Sequence, residues 1–184
     1  MRKAMLLLAL CGIVCFVPAI QAQTPAPKPD PAITKLQSFV GHWTYEGESK
    51  AGPLGPDGKI TGVQDAQMIL GGFFLETRQK EKGPMGEIQS IEIDAYDPAN
   101  KNFSYSIYED GGGTESGGFT SSGNTWKWSG KYAVGGKEYL SRGTSTFAAD
   151  LRSFTQKAEI SIDGKTWLPS YEYKAIKTKF APPK

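Results

Sequence analysis

Gly41-His42-Trp43 opens a run of about ten alternating, Gly-punctuated strand patterns, and the reading of this tripeptide decides the fold. A glycine at the start of the first strand lets the chain cross the floor of a small closed barrel, and an indole two residues on can plug that floor. Helical periodicity of any length is absent from Trp43 to Lys177. Short strand signals separated by turn residues predict an all-β, up-and-down antiparallel β-barrel of about ten strands. Ala32 to Val40, with Ile33, Leu36, Phe39 and Val40 at helical spacing, predicts a short N-terminal helix that lids one barrel end. A β-sandwich would satisfy the same alternation, but a continuous aromatic inner face and the Gly41-x-Trp43 floor favour closure.

Four turns set the faces. Gly71-Gly72 suits a two-residue hairpin, which pairs Leu70 with Phe73, Met68 with Leu75 and Ala66 with Thr77 on an inner face, and Asp65 with Arg78 outside. Asp97-Pro98-Ala99-Asn100-Lys101 reads as a type I turn closed by Asn100 in the left-handed region. That register puts Ile91, Ile93 and Ala95 inside and Glu92, Asp94, Ser104 and Ser106 in solvent. Gly135-Gly136 aligns Tyr132 with Tyr139 and Trp128 with Gly143. Asp163-Gly164 places Ile160 by Trp167, Gln156 by Tyr171 and Phe154 by Tyr173, unless a three-residue loop shifts the register.

Residues 1–22 have a basic start (Arg2, Lys3), an apolar run from Ala4 to Val17 and a small residue, Ala22, before the expected cut, which is the pattern of a secretory signal peptide. A lipoprotein signal is disfavoured because Leu10 and Val14, rather than small residues, precede Cys11 and Cys15. Export would leave a chain without thiols. The basic excess of 21 Lys and Arg over 19 Asp and Glu is supplied by Arg2 and Lys3, so the mature domain is neutral. Neutrality without a basic stripe argues against nucleic acid, and no apolar run long enough for a membrane anchor follows the signal. Residues 23–31 form a Pro-rich tether, 32–178 a single barrel domain and 179–184 a flexible tail. The expected location is secreted or periplasmic.

Leu36-Gln37-Ser38-Phe39-Val40-Gly41-His42-Trp43, Leu70-Gly71-Gly72-Phe73-Phe74-Leu75, Ala95-Tyr96-Asp97-Pro98 and Asp163-Gly164-Lys165-Thr166-Trp167 together resemble the bacterial secreted family grouped as domain of unknown function 1579, calycin-like proteins related in shape to lipocalins. The resemblance covers nearly all of residues 34–178. It implies a lipocalin-type barrel, secretion and no assigned activity.

The candidate ligand-binding set is the inner face: Tyr105, Trp126, Trp128, Tyr132, Tyr139, Gln156, Tyr171 and Tyr173, with Trp43 as barrel floor. Filling the barrel is the ordinary use of such residues, yet buried hydroxyls and a buried glutamine need hydrogen-bond partners, and several of them among aromatic rings make a pocket. The expected occupant is a small, mostly apolar molecule, bound without chemistry. His42, the only histidine, should face out, away from the inner position at which the related haem-binding nitrobindins carry their iron ligand. No cofactor and no metal are expected. Glu109-Asp110-Gly111-Gly112-Gly113-Thr114-Glu115 reads first as a solvated hairpin tip. An enzyme using Glu109, Asp110 and Glu115 at a barrel mouth is the rival reading, and a solid-core interaction module of the cell envelope is the third. The Asp163-Gly164 stretch resembles a propeller Asp-box one residue short, for which a turn suffices, and the Asn102-Phe103-Ser104 sequon carries no role.

Overall fold

Ten strands form where the alternating patterns stand: β1 (Gly41–Ser49), β2 (Gly58–Ile69), β3 (Phe74–Gly83), β4 (Gly86–Asp97), β5 (Asn102–Glu109), β6 (Thr114–Ser122), β7 (Thr125–Val134), β8 (Lys137–Phe147), β9 (Ser153–Ser161) and β10 (Leu168–Thr178). The computed structural model describes residues 27–178; the expected signal peptide, the first part of the tether and the tail lie outside the described residues. Each strand pairs antiparallel with its neighbours in sequence, and β10 returns to β1. The barrel is closed. Closure leaves no strand edge with unpaired backbone groups, which is how an all-β chain avoids edge-to-edge association.

The apolar end of the barrel explains the opening tripeptide. A 3-10 helix, Pro31–Ser38, starts with Asp30 accepting the Ala32 N–H (2.7 Å) and buries Ile33 and Leu36. Phe39 follows and packs edge-on to Phe147 (ring centroids 4.9 Å) and against Trp126 (5.5 Å). Trp43 is 1 % exposed; its indole N–H donates to the Phe39 carbonyl at 2.7 Å, so the plug is pinned at its polar atom as well as packed against Phe154. His42 points the other way and bonds Asp65 on the outer wall.

Two of the four expected registers stand. Asp65 lies opposite Arg78, Ala66 opposite Thr77 and Met68 opposite Leu75, although Leu70 to Phe73 form a wider loop with Leu70 and both glycines at positive φ. Asp65 and Arg78 take other ionic partners, His42 and Glu76. Tyr132 lies opposite Tyr139 and Trp128 opposite Gly143, where the indole occupies the space a Cβ would need.

The other two shift. Ile160 faces Leu168, and a bulge between Pro169 and Tyr171 sets Tyr171 opposite Ala158, Tyr173 opposite Gln156 and Ala175 opposite Phe154. The two offsets add, so the inner face keeps its members. In the β4–β5 hairpin Asp97 faces Asn102, not Lys101, and Lys101 rather than Asn100 takes positive φ (53°). The Asp97 carboxylate accepts the N–H groups of Ala99 and Asn100, stretching the loop by one residue. A one-residue slip exchanges the faces of a strand. Ile91, Ile93 and Ala95 therefore lie outside, and Ser90, Glu92 and Asp94 point into the barrel.

Candidate functional site

Above the aromatic floor the barrel encloses a cavity of about 330 Å³, opening toward the end that carries the loops 50–57, 110–113 and 162–167. Its lower wall is apolar, formed by Phe39, Trp43, Phe119, Trp126 and Phe154. The rest of the wall is acidic: Glu81 from β3, Glu109 from β5 and Glu115 from β6 line it toward the mouth, and β4 adds Glu92 and, nearer the floor, Asp94. No Lys, Arg or His among the described residues lines the same space. Glu159 borders it too, but its carboxylate is tied to Arg142 (2.7 Å).

Three of the five carboxylates are held by neutral hydroxyls. Tyr45 donates to Glu81 (2.8 Å), Tyr132 to Glu109 (2.8 Å), and Tyr105 to Glu115 (2.7 Å), which also receives the Ser141 hydroxyl (2.5 Å). Each bond needs room beside it, and glycine supplies that room. A Cβ on Gly62 would strike the Tyr45 hydroxyl, one on Gly130 the Tyr105 hydroxyl, and one on Gly113 the Glu109 carboxylate. Burial raises the pKa of Glu81 and Glu115, opposed in part by these hydrogen bonds. It raises the three tyrosines as well, with the neighbouring carboxylates adding to the effect, so each tyrosine remains a donor.

Glu92 and Asp94 differ from the other three. They sit at successive inward positions of β4, close enough for one carboxyl to hydrogen-bond the other. Asp94 is 6 % exposed, and its Oδ1 has no partner. Burial raises both above the usual carboxylate range; the charge of Glu92 adds for Asp94, and that of Glu115 adds for Glu92. Without a counter-charge, the pair retains a proton at a pH where free carboxyls have lost theirs.

Of the eight residues predicted from sequence, Tyr105, Trp126, Trp128, Tyr132, Gln156, Tyr171 and Tyr173 line the cavity. Tyr139 is buried on the inner face but stands outside the lining. Gln156 donates to the Tyr171 hydroxyl (3.0 Å) across the bulge and accepts from Ser145 (2.9 Å). Gln64, not anticipated, donates to Gln79 (2.7 Å) and Tyr173 (3.2 Å). The hairpin tip divides: Asp110 is exposed, as a solvated tip requires, but Glu109 and Glu115 turn inward, so the three acids do not form one site. Continuing the correct β2–β3 register upward from Thr77 reaches Gln79 and Glu81, a signal present in the sequence. Glu92 and Asp94 were hidden by the slipped β4 register. Asp163 serves its turn alone, accepting the Lys165 and Thr166 N–H groups, which hold its carboxyl down at about 2.

The model of a protein family described as "Protein of unknown function (DUF1579)" matches residues 28–167. Among solved structures, that of Rv2717c from M. tuberculosis superposes with a TM-score of 0.59 at 10 % identity, covering 83 % of this chain and all of that one. A de novo designed fluorescence-activating β-barrel gives a TM-score of 0.40 at 12 % identity over 77 % of this chain and 95 % of the design. No curated protein matches the chain in sequence. The chain belongs to the DUF1579 family.

Proposed function

We propose that this DUF1579 protein is an exported binding barrel that holds a small molecule in its interior and makes or breaks no bond in it. The observation that carries the reading is the cavity of about 330 Å³, within the size range of small-molecule sites, whose walls combine aromatic surface with fixed polar groups. A solid-core module would have these side chains meet at the barrel axis. The occupant extends its apolar part toward Phe119, Trp126 and Phe154 and its polar part toward the acidic side of the wall. A mostly apolar molecule suits only the lower half.

Trp128 reports on occupancy, because it lines the cavity while resting on Gly143. Titrating the purified protein with an amphipathic aromatic ligand should quench tryptophan fluorescence, and Trp128→Phe should remove most of the quench while leaving the unfolding midpoint within the range of a mild substitution. Saturable binding that leaves fluorescence unchanged, or that survives steric closure of the cavity by Ala158→Trp, would place the ligand elsewhere and end the reading. Export is tested by intact mass, which should correspond to a chain beginning at or near Gln23 and carrying no lipid.

A further inference from the structure

We propose that the cavity selects a small organic cation, an amine with an apolar or aromatic body, whose ammonium group is held by Asp94 and Glu92. This deepens the binding-barrel reading and rests on it. Five carboxylates enter one enclosed space with no basic side chain to balance them, an arrangement that costs stability unless a positive charge arrives from outside. The count alone would leave the occupant open; the distribution of hydrogen bonds narrows it. Glu81, Glu109 and Glu115 are already engaged by tyrosine or serine hydroxyls. Asp94 Oδ1 is the one buried side-chain polar atom among the described residues without a partner, and Asp94 lines the cavity. A buried acceptor with nothing to accept is the feature that a ligand's N–H would satisfy.

The chemistry of the surrounding wall favours an organic cation over a metal ion. Among the described residues no three His, Cys, Asp or Glu side chains converge as metal ligands do, so the acids are spread for a body of several atoms. Trp128, Tyr171 and Tyr173 border the same space, and aromatic faces attract ammonium groups. The floor below is apolar. An arylalkylamine fits this polarity, with its ring at Trp126 and Phe119 and its ammonium at β4.

Binding has a proton ledger. The groups facing the β4 pair are Glu81 from β3, Tyr105 and Glu109 from β5, Glu115 from β6, Tyr132 from β7 and Tyr171 and Tyr173 from β10, with Tyr45 behind Glu81. Every one of these is an acid, and each tyrosine stays protonated. An ammonium that meets the protonated pair therefore expels the proton to solvent, and affinity rises with pH as long as the amine itself remains charged.

The test is calorimetric titration of the full mature protein at pH 6 with 3-phenylpropylammonium, its neutral analogue 3-phenyl-1-propanol and the anion 3-phenylpropionate, repeated in two buffers of different ionisation enthalpy. The ammonium should bind at least about tenfold more tightly than either analogue, the loss expected when a charge-assisted bond is removed, and should release protons. Asp94→Asn and Glu92→Gln should each weaken it about tenfold or more without lowering the unfolding midpoint, while Glu46→Gln on the outer wall leaves it unchanged. If the alcohol or the carboxylate binds as well as the amine, the cation assignment is wrong and the binding barrel stands. If calcium chloride alone titrates the site and competes with the amine, the site is a metal site and the assignment is again overturned. If none of the three aromatic probes binds at millimolar concentration, both the assignment and the binding-barrel reading fall.

Discussion

Replacing Glu92 by glutamine should make the ligand-free protein more stable above neutral pH and flatten its stability against pH. The Glu92 carboxyl is pushed up to about 7 from an ordinary value of 4.5, first by burial and then by the charge of Glu115, while its bond with Asp94 works in the opposite direction. In the unfolded chain the same group titrates near its ordinary value. Between those two pH values the folded state binds more protons than the unfolded state, so stability is full below about 4.5, falls as pH rises, and levels off above about 7. At about 1.4 kcal/mol per unit of displacement, the loss is up to about 3 kcal/mol, reduced to the extent that water in the cavity solvates the charge. Glutamine has the same shape, carries no charge and can donate its amide to Asp94. Equilibrium urea unfolding from pH 5 to 8.5 measures the effect. The wild type should lose stability across that window, and Glu92→Gln should lose less and be the more stable protein at pH 8. Glu81 and Glu115 are displaced in the same direction, so some slope remains in the variant. A variant with unchanged slope, or one less stable than wild type at pH 8, would mean that Glu92 does not face the cavity and that the β4–β5 register is wrong.

Trp43→Ala should cost about 3–5 kcal/mol in urea unfolding, because the plug is fully buried and the barrel floor cannot collapse around the gap. His42→Ala, which loses only an outer-wall contact with Asp65, should cost no more than about 1 kcal/mol. Equal losses would contradict the inward and outward assignment of β1. Gly143→Ala should destabilise by about 1–3 kcal/mol or more, since the new methyl meets both the Trp128 ring and the Lys157 carbonyl, and Trp128→Ala in the same chain should recover part of that loss. Asp163→Ala should release the loop before β10, seen as faster amide exchange at Lys165 and Thr166, with the barrel strands unaffected.

The architecture was legible because the features that build it are local. Gly41 and Trp43 mark the floor, glycine pairs mark two hairpins, and alternation marks the strands between them, each read without knowledge of distant contacts. The family resemblance added a closed barrel, and the strand pairing agrees with it. The acidic site was not legible, for a specific reason. The rule that apolar residues face inward assigned Ile91, Ile93 and Ala95 to the interior, and a three-residue loop at Asp97 supported the same answer. In the folded chain the extra loop residue at Lys101 reverses β4, so its isoleucines lie on the outer wall and its acids on the inner one. Polar-in and apolar-out is an arrangement that folding alone does not favour. It occurs here on one strand of ten, beside three glycines that make space for tyrosine-to-glutamate bonds and around a buried oxygen with no partner. Apolar burial alone would favour β4 turned over, with Ile91, Ile93 and Ala95 inside, but β4 is held in the opposite sense by its pairing to both β3 and β5. That the chain keeps the costly register is the physical ground for treating Glu92 and Asp94 as groups that await a partner from outside the protein.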